Sequence, residues 1–94
     1  MSSPYTSTAG YEAVAVSSTA IGLTAATIVG KHAAVITTEN ATVRFTVDGT
    51  TPTTTVGHTL EPGDTLTLHS ADELGKFKAI RTVSDASLRV TYYR

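Results

Sequence analysis

The segment covering residues 41–68, ATVRFTVDGTTPTTTVGHTLEPGDTLTL, constrains the fold more than any other part of the chain. Between Val43 and Val47 apolar and polar residues alternate, as they do in a half-buried strand whose successive side chains leave opposite faces of a sheet. Asp48 and Gly49 follow this alternation directly. Asp-Gly is a strong hairpin signal because glycine tolerates a positive φ. The segment therefore predicts antiparallel β-structure.

Three residues are predicted to shape this hairpin: Asp48, Gly49 and Pro52. The Asp48 carboxylate can bond the backbone of its own turn. Pro52 has no amide hydrogen, so residues 51–55 are predicted to form an edge or a loop rather than a paired strand. A second turn at Pro62–Gly63 leads into another alternating run, which ends at His69.

The rest of the chain favours the same class of structure. Threonine makes up about a fifth of the residues, and β-branched side chains suit a pleated surface better than a helix. We therefore expect an all-β fold, either a small β-sandwich or a partly closed barrel of seven to eight short antiparallel strands. One helical turn is expected near residues 70–75, where Ser70 and Glu73 have capping-box spacing and Gly75 stands at the C-cap.

The chain has 94 residues, which is the length of one domain. Residues 1–10 are expected to form an extended N-terminal arm, because Pro4 prevents regular pairing and Tyr5 is the only anchor. Residues 11–94 are expected to form a single β-sandwich domain. Within it, residues 21–24 read as a short strand and residues 25–30 as a loop or brief strand.

Composition argues against several classes of partner. The net charge is −1, whereas a nucleic-acid-binding surface needs clustered basic residues. There is no cysteine, which excludes disulfides and thiolate metal sites. The partly apolar segment 20–36 is too short and too interrupted to span a bilayer. We expect neither a nucleic-acid nor a membrane partner.

The catalytic inventory is poor. The chain has no G-x-S-x-G nucleophile elbow, and His32, His58 and His69 lack metal-ligand spacing. The acidic residues lie mainly at turns, where they usually bond local backbone. We predict no catalytic residue, no metal ligand, no cofactor and no enzymatic activity.

Two groups of residues are assigned from their positions in the alternation and along the chain. Exposed tyrosine and arginine are common at binding hot spots, so Tyr93 and Arg94 at one end, with Pro4 and Tyr5 at the other, are candidate interface residues. The predicted core consists of Phe45, Leu66, Leu68, Phe77, Ile80, Leu88 and Val90.

Beyond residue 33 five segments follow in a characteristic order: AVITTEN, VRFTVDGTTPT, GHTLEPGD, LGKFKAIRT and LRVTYYR. In this order they resemble a family of small proteins encoded among the structural genes of tailed bacteriophages and prophages. The resemblance covers about two thirds of the chain. It implies a small β-sandwich that forms part of the virion, after synthesis in the host cytoplasm.

The resemblance favours a capsid decoration protein that binds the assembled shell through its arm and one edge of the sandwich. The implied partners are the major capsid protein or other virion proteins, with further copies of the chain in a homo-oligomer or symmetric cluster. A tail or head–tail connector component is the nearest variant. The D-G-T-x-P hairpin is also similar to small β domains of chitobiase-like glycosidases, so a carbohydrate-binding accessory module is a further alternative.

Overall fold

Residues 7–94 are described by a computed structural model, and they form eight strands and two short helices. The strands are β1 (Thr8–Val16), β2 (Ile21–Gly22), β3 (Ala33–Glu39), β4 (Val43–Thr46), β5 (His58–Leu60), β6 (Thr65–Leu68), β7 (Lys78–Arg81) and β8 (Ala86–Tyr93). The helices are α1 (Ala25–Ile28) and α2 (Ala71–Lys76).

The strands form two antiparallel sheets of four strands each. One sheet, called sheet A, has the order β1-β8-β3-β6, and the other, sheet B, has the order β2-β7-β4-β5. Side chains from one face of each sheet form a shared core. The predicted all-β fold of short antiparallel strands is confirmed, and of the two alternatives it is the sandwich.

Alternation along β8 shows how the core is built. Every second residue from Ala86 to Tyr92 is buried, while the residues between them face away from the core. On the neighbouring strands, Val14 of β1 lies opposite Leu88, and Ile36 of β3 lies opposite Val90. Side chains directly opposite one another share a face, so these apolar residues meet in the core.

Most of the predicted core residues are buried, namely Phe45, Leu68, Phe77, Leu88 and Val90. Leu66 is only partly buried but packs against them. Ile80 was wrongly assigned. In the register of β7, Ala79 lies opposite Phe45 and is fully buried, so Ile80 lies on the other face of the sheet, opposite Arg44.

Residues 25–30, predicted as a loop or brief strand, contain helix α1 instead. The amide of Ile28 donates to the carbonyl of Thr24 at 3.1 Å, which closes one helical turn. Two consecutive alanines begin this turn, and alanine has the most favourable helix propensity. Helical propensity thus overrides the β-rich composition at this point.

Helix α2 confirms the predicted helical turn and its N-cap at Ser70, whereas the reciprocal capping bond and the C-cap differ from the prediction. The Ser70 hydroxyl accepts a bond from the Glu73 amide at 3.2 Å, and the Glu73 carboxylate accepts from the His69 amide at 2.6 Å. The reciprocal bond thus goes to the residue before the N-cap. Gly75 is not the C-cap, because the helix continues to Lys76, and the buried side chains of Leu74 and Phe77 hold its last turn against the core.

The start of β1 at Thr8 shortens the segment predicted as an arm. Residues 8–10 belong to the strand, with an irregularity between Thr8 and Gly10. Pro4 and Tyr5 lie outside the described residues.

Gly49 and Gly75 allow a matched test of the turn assignment. Gly49 has φ +90° and Gly75 is helical, and a Cβ at either position would meet no atom within 4 Å. Gly49→Ala should lower the free energy of unfolding by about 1 kcal/mol, because an L-residue resists positive φ. Gly75→Ala should raise it by about 0.5–1 kcal/mol. Urea titration of both variants measures these changes, and equal signs would contradict the turn assignment.

Candidate interaction surface

The long loop between β4 and β5, residues 47–57, is tied to the outer side of sheet B by one arginine. The Arg44 side chain donates from Nε to the Thr54 carbonyl at 3.0 Å and from Nη1 to the Gly57 carbonyl at 2.8 Å. A Cβ on Gly57 would lie 2.9 Å from the Phe45 carbonyl oxygen, so only glycine lets the loop approach this closely. Arg44 therefore stabilises the hairpin, although sequence reasoning gave it no role.

The three predicted turn-shaping residues all lie in this loop. Asp48 Oδ1 accepts a bond from the Thr50 amide at 3.0 Å, and this bond lowers the pKa of the Asp48 carboxyl below its ordinary value. Gly49 occupies the left-handed region, and Pro52 is buried. The Asp48 carboxylate is thus engaged in forming the turn.

A small open cleft of about 290 Å³ lies at the base of the loop. The one histidine on its wall, His58, packs its ring against Phe45 with a centroid distance of 5.5 Å. The lining residues are Thr46, Val47, Asp48, Thr50, Val56, Gly57 and His58. On this wall the Asp48 carboxylate accepts the Thr50 amide, so it takes part in forming the turn as well as lining the cleft.

A polar cluster of Glu12, Tyr92 and Thr24 closes the end of the core. The Tyr92 hydroxyl donates to Glu12 Oε2, and the Thr24 hydroxyl donates to Glu12 Oε1 at 2.5 Å. The Thr24 amide also donates to this carboxylate at 3.3 Å. Burial, reinforced by the bond to Glu12, raises the pKa of Tyr92 above its ordinary value. The cluster joins β1, β8 and the start of α1.

The side of sheet A that faces away from the core, called the outer face, is the broadest surface built from regular strands. Arg89 near its middle donates from Nε to Glu39 at 3.0 Å and from Nη1 to the Tyr11 hydroxyl at 3.2 Å. Both bonds raise the pKa of the Arg89 guanidinium, and the bond to the Tyr11 hydroxyl has the larger effect. Two rows of the face run across the four strands: Tyr11, Thr91, Val35 and Thr67, then Ala13, Arg89, Thr37 and Thr65.

Of the four candidate interface residues, two lie within the described part of the chain. Tyr93 is partly buried and stands opposite Thr8 on one side and Ala33 on the other. Arg94 is exposed, and its amide donates to the Ser7 carbonyl at 3.2 Å. Tyr93 is therefore part of the sheet rather than a free terminal side chain.

Residues 7–94 contain neither a cluster of metal ligands nor a membrane-spanning helix. Within this range, no three histidine or acidic side chains come together in a way that could hold a metal ion. The two helices in the same range are far too short to cross a membrane.

Comparison of the chain with protein-family models, with curated proteins and with solved structures found no match. Two features of the surface and core escaped sequence reasoning. Arg89 contacts Glu39 and Tyr11, from which it is separated by 50 and 78 positions in the chain. The role of Glu12 could have been found from the alternation along β1. Glu12 lies two and four residues before Val14 and Val16, so its carboxylate is on the side of the strand that faces the core.

Tyr92→Phe tests the polar cluster. Loss of the hydroxyl deprives the Glu12 carboxylate of a buried donor, and a hydrogen bond to a charged group contributes about 1.5–3 kcal/mol. We expect the free energy of unfolding to fall by that amount in urea titrations. Tyr11→Phe, which removes an exposed hydroxyl, is the matched control and should change stability by less than about 1 kcal/mol.

The same pair of variants gives a pH dependence. Because the pKa of Tyr92 is higher in the folded than in the unfolded protein, its contribution is complete below the unfolded value, about 10. Above that pH the unfolded chain loses the proton while the folded chain keeps it, so stability falls as pH rises. Tyr92→Phe should show a shallower fall than Tyr11→Phe. Identical slopes would contradict the role of the cluster.

Proposed function

We propose that this chain is a non-enzymatic structural protein of a tailed-bacteriophage virion, and that it decorates the assembled capsid shell. Two lines of reasoning support the proposal. The ordered segments from AVITTEN to LRVTYYR resemble virion proteins of this kind, and the outer face of sheet A has the properties of a protein-docking surface.

The outer face is the observation that carries the proposal. Tyrosine and arginine are the residue types most enriched at binding hot spots, and Tyr11 and Arg89 lie close together on this face. The ion pair with Glu39 and the bond to the Tyr11 hydroxyl favour one orientation of the Arg89 side chain before any partner binds. A side chain that is already ordered loses less entropy on binding, so the face is prepared for a partner.

Threonine makes up much of the remaining surface in the two central rows of the outer face, at positions 37, 65, 67 and 91. Its β-branched side chain is stiff at χ1, so it too has little freedom to lose when a partner covers it. A broad, largely neutral face around one Tyr–Arg–Glu network suits contact with another protein better than contact with a highly charged polymer.

The use of polar groups in the turns also favours a structural role. Arg44 and Asp48 bond backbone atoms of the β4–β5 loop, and Asp64 accepts from the Glu61 amide at 2.9 Å. Residues of the D-G-T-x-P and G-D motifs thus shape the chain locally. This is what a binding scaffold requires, whereas a catalyst needs such groups directed at a substrate.

The two alternatives predict different binding. A tail or head–tail connector component would associate with tails or connectors rather than shells. A carbohydrate-binding module stacks sugars on exposed aromatic rings; within residues 7–94, Tyr11 is the one aromatic side chain that is largely exposed, at 60%. One such ring is a poor platform, so we place the decoration role first.

The decoration role is tested with bare shells assembled from the major capsid protein that the proposal names as the partner. Arg89→Ala should weaken co-sedimentation with shells by about tenfold or more, as loss of a hot-spot side chain does. Lys76→Ala is the matched control, since Lys76 also belongs to an exposed ion pair, with Asp72 at 3.0 Å, but lies on α2. It should leave shell binding unchanged.

Either exposed ion pair contributes only about 0–1 kcal/mol to stability, so both variants should remain folded. Equal effects of Arg89→Ala and Lys76→Ala would contradict docking through the outer face. If the wild-type protein does not bind shells but binds isolated tails, the proposed decoration role is wrong and the tail alternative is favoured.

Deletion of residues 1–6 tests the expected contribution of the arm. This truncation spares β1 and also Ser7, whose carbonyl accepts the Arg94 amide. Binding to shells should weaken while the thermal melting temperature stays within a few degrees of the full chain. Unchanged shell binding would restrict the docking surface to the sandwich.

A further inference from the structure

Three of the four edge strands in the sandwich are short, and the fourth is long. The edges of sheet B are β2 with two residues and β5 with three, and one edge of sheet A is β6 with four. The other edge is β1, with nine residues. Short edge strands are a common protection against unwanted pairing, because a free edge presents a row of unpaired backbone groups. β1 lacks this protection.

The other usual protections of an edge are few in β1, and its one irregularity, between Thr8 and Gly10, lies outside the run from Gly10 to Val16. Its sequence, TAGYEAVAV, contains neither proline nor lysine. Its one charged residue, Glu12, is bound to Tyr92 and Thr24 on the inner side of the sheet. Among the described residues, β1 pairs with β8 alone. Its other edge is long and nearly uncharged, and no strand within residues 7–94 occupies it.

We propose that the occupant of this edge is β1 of a second copy of the chain. The two strands run antiparallel across a twofold axis and join two copies of sheet A into one continuous eight-stranded sheet. Because the same strand of each copy forms the contact, the free backbone groups of both β1 edges are paired at once. The assembly therefore ends at two copies.

The register of β1 points to the second copy as the partner. The pairing with β8 is regular from Gly10 to Val16, and the midpoint of that run is Ala13. A twofold axis at Ala13 uses the whole regular run and places Tyr11 opposite Ala15 of the partner subunit. Tyr11, Ala13 and Ala15 are all exposed, so a large ring meets a small side chain on each side of the axis.

Twofold axes at the two neighbouring residues, Glu12 and Val14, would give less stable strand pairs than an axis at Ala13. An axis at Glu12 would place two carboxylates directly opposite each other, which destabilises a strand pair. An axis at Val14 would leave Gly10 and Tyr11 without a partner. The axis at Ala13 separates the two Glu12 carboxylates and also uses the full regular run. Because both requirements are met by the same symmetric register, we favour a second copy of β1 over an unrelated strand as the partner.

Formation of this dimer needs no shell, so its test is independent of the proposed function. The full chain should sediment at equilibrium with twice the monomer mass of 9.8 kDa. Ala13→Lys places two ammonium groups opposite each other at the axis and should give a monomer. Thr65→Lys puts the same charge at an exposed position on the β6 edge and should remain dimeric.

Mixing variants identifies the axis. Ala13→Glu alone should also be monomeric, whereas an equimolar mixture of Ala13→Lys and Ala13→Glu should form a heterodimer, because residue 13 meets itself across the axis. A monomeric or trimeric wild type, or an Ala13→Lys variant that is still dimeric, would overturn the proposal.

A cysteine variant tests the same contact without introducing charge. The natural chain has no cysteine, so Ala13→Cys carries a single thiol. Directly opposed residues have Cα atoms about 4.5–5.5 Å apart, within disulfide range. Oxidised glutathione, which takes up the two hydrogens, should link the copies within the dimer. Thr59→Cys on the β5 edge should link far less, and equal linkage of the two variants would contradict the proposed contact.

Discussion

The structure depends on the alternation along β8, which within residues 7–94 is the one strand hydrogen-bonded to both β1 and β3. Its buried residues set the face to which both neighbours must turn their own apolar side chains. A slip of one residue on either side would turn the valines of β1 or Ile36 of β3 toward solvent. The register of β8 therefore fixes the inner and outer faces of sheet A together, and the surface available to partners is a consequence of core packing.

The cluster around Glu12 shows how the two ends of the chain are held together. Glu12 and Tyr92 are separated by 80 positions, yet their side chains meet at the end of the core. Removal of a carboxylate from water is unfavourable unless donors replace the water, and Tyr92 and Thr24 supply them. Because Thr24 is also the N-cap of α1, its hydroxyl serves this cluster instead of capping the helix.

Strand periodicity made most of the fold predictable, because strands with one buried face must alternate. It predicted β4 and β6 to within two residues, and the capping pair Ser70 and Glu73 marked α2. It misassigned Ile80 because β7 contains alanine and isoleucine side by side, and only pairing with β4 decides which of them faces inward. The Arg89 network was unpredictable for a related reason, since it depends on which strands become neighbours rather than on local sequence.

Strand β1 has three separate roles, which depend on its inner side chains, its outer side chains and its free backbone edge. Its inner side chains complete the core, its outer side chains include Tyr11 of the Arg89 network, and its free backbone edge is the site inferred for self-association. Pairing through that edge would align the outer faces of two copies in one sheet. Two docking faces held together bind a repetitive surface far more tightly than one, because the second contact becomes intramolecular. Under the proposed function, self-association through β1 would thus convert a modest interaction of one face into stable attachment to a symmetric shell.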